Sequence, residues 1–146
     1  MTDGIRRRIR RLHERGIGVE GTVLIGLDDQ DEDYVRRLVD FLLEMELDMA
    51  EFTILVPFPH SPICDQLERE GRILHHDWIR YTGSEVVFRP ARMDASTLER
   101  LYDHAWDAFY REASAETRRA RLFLKVINRE IADGTYAGRN TTSEPV

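Results

Sequence analysis

The segment 16-GIGVEGTVLIGLDD-29, the acid-led run 30-QDEDYVRRLVDFLLEMELDMAE-51 and then 52-FTILVPFPHSP-62 decide how this chain folds. Val19 to Gly26 and Phe52 to Val56 are β-branched and apolar and read as strands. Between them, Asp31 to Glu46 places Tyr34, Leu38, Phe41, Leu42 and Met45 at helical spacing. A strand, an amphipathic helix and a strand of this length predict a right-handed parallel crossover, hence an α/β fold. Ligands of parallel α/β sheets gather where the strands end. Here those ends are Gly26-Leu27-Asp28-Asp29 and Pro57-Phe58-Pro59-His60.

Working outward, the bulk properties set limits. A chain of 146 residues, 42% hydrophobic and 33% charged, has room for one core with appendages. A formal net charge of -6 argues against a general nucleic-acid binder, which needs a basic face for phosphates. No apolar run approaches the roughly 18 residues of a membrane span, and the basic start, Met1 to Arg11, lacks the apolar core of a secretory signal. One cysteine, Cys64, gives no disulfide framework, so a cytoplasmic protein is expected.

Upstream, Gly4 to Arg15 predicts a helix with Ile5, Ile9 and Leu12 on one stripe and arginines around the rest, ended by Gly16. Its arginines read as a solvated face in preference to a nucleic-acid patch, because no aromatic is interleaved. Gly18, Gly21 and Gly26 mark close approach to the first strand, by a ligand or by a neighbouring helix. The run Asp28 to Asp33 carries five carboxylates. A calcium loop needs glycine at its sixth position and glutamate at its twelfth, where Asp33 and Val39 stand, so helix capping is preferred to metal binding.

Downstream, three prolines in Val56 to Pro62 make a stiff loop; Pro62 suits the first turn of the next helix, Ile63 to Glu70, with Ser61 as its cap. A short helical turn is expected at Asp77 to Tyr81 and an extended piece at Val86 to Phe88. His75 and His76 are adjacent, poor geometry for a shared metal. His13 and His104 show no partner in the sequence. Asp94 or Ser96 opens a helix to about Ala113, with Leu98, Leu101, Tyr102, Ala105 and Phe109 buried; Glu116 to Ala132 forms another, with Leu122, Phe123, Val126, Ile127 and Ile131 apolar. From Gly134 the periodicity is lost and a frayed tail is expected. A small α/β enzyme using Asp28, Asp29 and His60 at the strand ends is one reading of these residues.

Five patterns occur in one order: GIGVEGTVLIGLDD, FTILVPFPHSPI, LEREGRI, DWIRY and VVFRPARM. Together, over about Leu12 to Phe109, they resemble the C-terminal half of the radical S-adenosylmethionine barrel, in the branch whose full-length members carry a cobalamin-binding domain. The resemblance implies a partial (half) TIM-type β/α barrel with parallel strands over 1–93, a helical extension over 94–133 and a flexible tail over 134–146. It implies that Val23, Ile25 and Gly26 flank the adenine of S-adenosylmethionine, and that the loop Pro57, Phe58 and Pro59 meets the adenine edge through its main chain. His60 stands where the family has glycine, and Ser61 where it has threonine. If that glycine has positive φ, His60 is strained by about 1 kcal/mol.

The family's [4Fe-4S] cluster is held by three cysteines in C-x-x-x-C-x-x-C, and this chain has one cysteine. The resemblance therefore implies a C-terminal portion that is inert alone and needs a cysteine-bearing N-terminal half. The other reading is a non-catalytic binding or assembly module, self-associating through exposed sheet edges. No nucleic acid and no membrane are expected as partners.

Overall fold

Four helical starts are met by a side chain that satisfies a free N–H group, whereas the last helix begins without one. Asp31 accepts from the N–H of Tyr34 and opens α2 (Glu32–Glu44), which follows α1 (Thr2–His13) and β1 (Glu20–Ile25). After β2 (Met49–Ile54), Ser61 caps α3 (Pro62–Arg69) and Asp77 a single turn, Trp78–Arg80. Asp94 caps α4 (Ala95–Tyr110), which leads into α5 (Glu112–Ala132). An N-cap of this kind is worth about 1 kcal/mol, and the N–H of Thr97 holds the Asp94 carboxyl below its ordinary range. This computed structural model describes residues 2–134; the tail expectation beyond Gly134 lies outside the described residues.

β1 and β2 form a parallel pair, Glu20 opposite Met49 through Ile25 opposite Ile54, with α2 as the crossover. Alternation splits the sheet into two faces. Val23, Ile25, Ala50, Phe52 and Ile54 are buried, in one cluster with Val35, Val39 and Leu42 of α2 and Leu98, Leu101, Ala105 and Phe109 of α4. Phe52 meets Trp106 and Phe109 edge-on, at 5.6 and 6.0 Å between ring centroids. The opposite face, with Glu20, Thr22, Leu24, Met49 and Glu51, is exposed. α4, expected as part of a separate extension, thus belongs to the same core as the strands.

The two outer edges differ. The carbonyls of Val19 and Ile25 accept from the β2 side, so the main chain of Glu20, Thr22 and Leu24 points the other way. Of these three, Leu24 bonds Gln30, while Glu20 and Thr22 meet no described residue on that edge. The outer edge of β2 is closed at both ends. The Tyr110 hydroxyl accepts from the N–H of Ala50 at 3.0 Å and donates to its carbonyl at 2.6 Å. The N–H of Ile54 donates to Gly83 at 2.7 Å. Gly83 has φ 83°, and a Cβ there would lie 2.7 Å from Thr53, so glycine is required for this approach.

Four expectations shift. β2 begins at Met49 instead of Phe52 and ends at Ile54 instead of Val56. Met49 and Glu51 point to the exposed face, and their polar-looking context hid the strand's start. The α4–α5 break falls at Arg111. On α5, Leu122, Val126 and Ile127 are half-buried, whereas Phe123 (65% exposed), Leu124 and Ile131 face outward. The extended piece at Val86 to Phe88 reduces to one antiparallel bridge, Phe88 with Ile73.

Candidate functional site

Both strands deliver their C-terminal ends to one rim, since the N–H of Leu55 donates to the carbonyl of Ile25 at 2.9 Å. At the end of β1 the chain turns at Gly26, whose φ of 93° is left-handed and whose missing Cβ would stand 2.9 Å from Leu98. The turn is stapled by Gln30, a residue the sequence reading passed over among its acidic neighbours. Its Oε1 accepts from the N–H groups of Gly26 (2.8 Å) and Leu27 (3.2 Å), and its Nε2 donates to Leu24 (3.2 Å). Gln30 is buried, as satisfied amides commonly are. Gly18 and Gly21 answer the question of what approaches β1: the side chains of Leu122 and Leu47.

The side chains of Val23 and Ile25 are buried in the helix-covered core and do not reach the exposed face. Any ligand contact from this part of β1 runs through main chain. Gly26 is buried at the rim itself. Of the second loop, Pro57 is buried, while Phe58 (63% exposed) and Pro59 are open. The main-chain N–H of His60 and the carbonyls of Pro57 and Pro59 have no partner among the described residues. His60 itself sits at φ 63°, the left-handed conformation that glycine occupies freely. Ser61 fixes the loop by donating its hydroxyl to Phe58 at 2.6 Å while accepting from Cys64.

Beside this loop lies a cavity of about 220 Å³ lined by Pro59, His60, Cys64, Asp65, Glu68 and Trp78. Trp78 stacks obliquely on Tyr81, 4.7 Å between centroids, and meets His76 edge-on. Ile79 beside it is 87% exposed. Burial and the carboxylates of Glu68 and Asp65 push the Cys64 thiol above its ordinary range, which disfavours the thiolate that a metal requires. Among the described residues no three histidine, cysteine or acidic side chains gather as a metal site. This chain does not fit an iron–sulfur cluster.

The acidic run resolves into structural roles. Asp31 caps α2. Asp28 receives the Arg72 guanidinium in a two-point contact at 2.5 and 3.0 Å, while the Arg72 Nε donates to the carbonyl of Arg89. The guanidinium lowers the Asp28 pKa, and Glu70 adds a second carboxylate to the same cation. Asp28 is therefore engaged with Arg72, which leaves the Asp28–Asp29–His60 reading without support. His13, for which the sequence showed no partner, meets Asp48 at 2.8 Å, and the same Asp48 oxygen accepts from the N–H of Val19 at 2.7 Å. Only the fold brings residues 13 and 48 together.

No protein-family model matches the chain. It is similar to the bacteriochlorophyllide d C-12(1)-methyltransferase of Chlorobaculum tepidum, 27% identical over 90 residues, 62% of this chain and 19% of that protein. An uncharacterized methyltransferase of Pyrococcus horikoshii is 24% identical over 65% of this chain and 21% of its own length. The hopanoid C-2 methylase of Rhodopseudomonas palustris is 29% identical over 47% of this chain and 13% of its own length. The chain is thus distantly related, over part of its length, to methyl-transferring enzymes, and it spans about a fifth or less of each.

Proposed function

We propose that this chain is the C-terminal portion of a radical S-adenosylmethionine methyl-transferring enzyme, supplying the distal barrel wall and part of the adenine site and inert without the remainder. One observation carries the reading: a parallel sheet with one face bare. Parallel sheets occur almost only with both faces covered, and two strands alone make a marginal sheet. Here α2 and α4 cover one face, while Glu20, Thr22, Leu24 and Glu51 line the other and the outer edge of β1 is open. In a β/α barrel the helices lie outside and the uncovered face is the interior. Further strands added to β1 would turn this face into a lumen. The relationship to much longer methyltransferases supports the same reading.

In this assignment the rim is the cofactor's edge. The His60 N–H and the carbonyls of Pro57 and Pro59 offer a donor and two acceptors to the polar edge of an adenine, and the open Phe58 ring offers it a face. Gly26 turns the main chain at this edge through its left-handed φ, and Val23 and Ile25 hold that strand from behind by packing into the core. S-adenosylmethionine would supply the methyl and adenosyl chemistry. The [4Fe-4S] cluster and the cobalamin of longer family members would be held elsewhere, and no step through them is assigned to these residues.

The test is anaerobic incubation with S-adenosylmethionine and dithionite. The isolated chain is expected to give no 5′-deoxyadenosine and to bind S-adenosylmethionine weakly by calorimetry. Addition of a cluster-loaded, cysteine-bearing N-terminal segment from a longer relative is expected to restore both. Turnover by the isolated chain would refute the reading. The open β1 edge favours a second assignment, an assembly module in which another copy of this chain takes that edge. A stable dimer protecting the Glu20 to Leu24 amides from hydrogen exchange, with no response to the added segment, would establish it instead.

A further inference from the structure

The bare sheet face carries charge without counter-charge. Strand pairing sets its side chains in three rows that climb toward the rim: Glu20 with Met49, Thr22 with Glu51, and Leu24 with Thr53. Each of the two lower rows holds one carboxylate, and no row holds a cation. Glu20 and Glu51 stand on adjacent rows of adjacent strands, so the two acids are diagonal neighbours. Neither has an ion pair or a side-chain hydrogen bond among the described residues. The arginines that form ion pairs, Arg6, Arg36, Arg72, Arg80, Arg121 and Arg129, all turn to other carboxylates.

On the isolated chain both acids are exposed, and water satisfies them. A closed barrel changes their surroundings. Below its rim the interior is filled by side chains in layers, so closure takes the row of Thr22 and Glu51 out of water. A buried carboxylate without a partner costs several kcal/mol, and a like charge beside it adds to the cost. The face must therefore be met by a cation from outside this set of residues. A second copy does not supply it, because two identical faces laid together about a two-fold axis set carboxylates against carboxylates. Arginine suits the place better than lysine. Its planar fork reaches two carboxylates at once, and the Thr22 hydroxyl beside Glu51 adds a further acceptor.

We infer that the bare face docks the N-terminal strands of the barrel through an inward-facing arginine on them, held by Glu51 and Glu20. The inference rests on the barrel reading and adds the chemistry of the missing wall, which is basic at the depth of these two rows. The third row, Leu24 with Thr53, is uncharged and lies nearest the rim. The test uses the full chain and a cluster-loaded N-terminal segment from a longer relative that has carboxylates at the positions of Glu20 and Glu51, with the Kd read by calorimetry. Glu20→Gln/Glu51→Gln changes two exposed positions and is expected to leave the melting temperature of the isolated chain within about 2 °C. Its affinity for the segment is expected to fall at least about thirtyfold, the effect of removing one side of a buried charge pair.

Asp33→Asn/Asp40→Asn makes the same change in net charge at exposed positions of α2 and is expected to leave the affinity within about threefold. One Arg→Gln among the inward-facing positions of the segment is expected to weaken binding to the parent chain by the same factor as the double glutamine variant, and to have little further effect on that variant, which identifies the partner. Equally tight binding of the segment by the parent and the glutamine variant overturns the inference and leaves the barrel reading standing. An equal loss in the α2 variant assigns the effect to net charge and overturns the inference as well. Failure of the parent chain to bind the segment overturns both.

Discussion

The two strands are near neighbours of equal length, yet the chain finishes their outer edges in opposite ways. β2 has its outer edge closed by the Tyr110 hydroxyl at Ala50 and by the Gly83 carbonyl at Ile54. β1 presents the main chain of Glu20 and Thr22 to no described residue, under exposed side chains. An exposed edge is a template for pairing, and proteins that do not use one blunt it. Closure of one edge by dedicated contacts beside an open one is the pattern of a sheet continued in a single direction. The difference therefore marks the β1 edge as the side on which the proposed barrel would continue.

The sharpest way to break this comparison is to cut the core on the finished side and match it on the open side. Phe52→Ala removes a ring buried against Trp106 and Phe109. We expect a loss of about 3–5 kcal/mol in urea unfolding, enough to unfold much of the population. Leu24→Ala, one residue before the β1 end and on the bare face, is expected to change stability by less than about 0.5 kcal/mol. Comparable losses at the two positions would mean that the bare face is packed after all. Next in size is Tyr110→Phe, which strips a hydrogen-bonding partner from both the N–H and the carbonyl of buried Ala50. A loss of about 1–3 kcal/mol is expected, together with increased self-association by sedimentation velocity as the second edge opens. An unchanged association state would show that edge closure is incidental.

What the sequence disclosed follows from range. The β1–α2–β2 crossover, the caps at Asp31, Ser61 and Asp94 and the stop at Gly16 depend on residues a few positions apart, and periodicity with local capping chemistry exposes them. Gln30 was hidden for a different reason. Its three bonds go to residues three to six positions away, but a lone amide among carboxylates carries no pattern that distinguishes a staple from a spacer. The pairs His13–Asp48, Asp28–Arg72 and Tyr110–Ala50 are separated by 35, 44 and 60 residues and become visible only when the chain is folded. At the rim, Gly26 and Pro57 to Pro59 were legible as strand ends. The inward direction of Val23 and Ile25 was not, because alternation gives two faces without saying which one the helices cover.

His60→Gly tests the rim loop at the end of β2. The substitution relieves a left-handed histidine at φ 63°, a conformation costing a side chain about 1–2 kcal/mol, and it loosens the unfolded chain by about 0.5–1 kcal/mol. A net gain of up to about 1 kcal/mol is expected in urea unfolding. A clear loss would mean that the imidazole makes a contact worth more than the strain.

The smallest effect lies at the end of β1, where Arg72 ties Asp28 to the hairpin of residues 72–89. The Arg72 guanidinium holds the Asp28 carboxyl below its ordinary value, so the folded state favours the ionised form. A carboxylate with a depressed folded pKa contributes its full stabilisation above the unfolded value, near 4, and loses it as the pH falls through the folded value. With 40% of the Asp28 side chain exposed, solvent screening limits the contribution to below about 1 kcal/mol. Asp28→Asn is therefore expected to be slightly less stable than the parent between pH 5 and 8, by a constant margin, with the two converging below about pH 4. Added salt should narrow the same margin at neutral pH, because a partly exposed pair is screened. A margin that persists to pH 2 and ignores salt would assign the Asp28 contribution to hydrogen bonding that asparagine cannot copy, and the β1 end would then be held by geometry in place of charge.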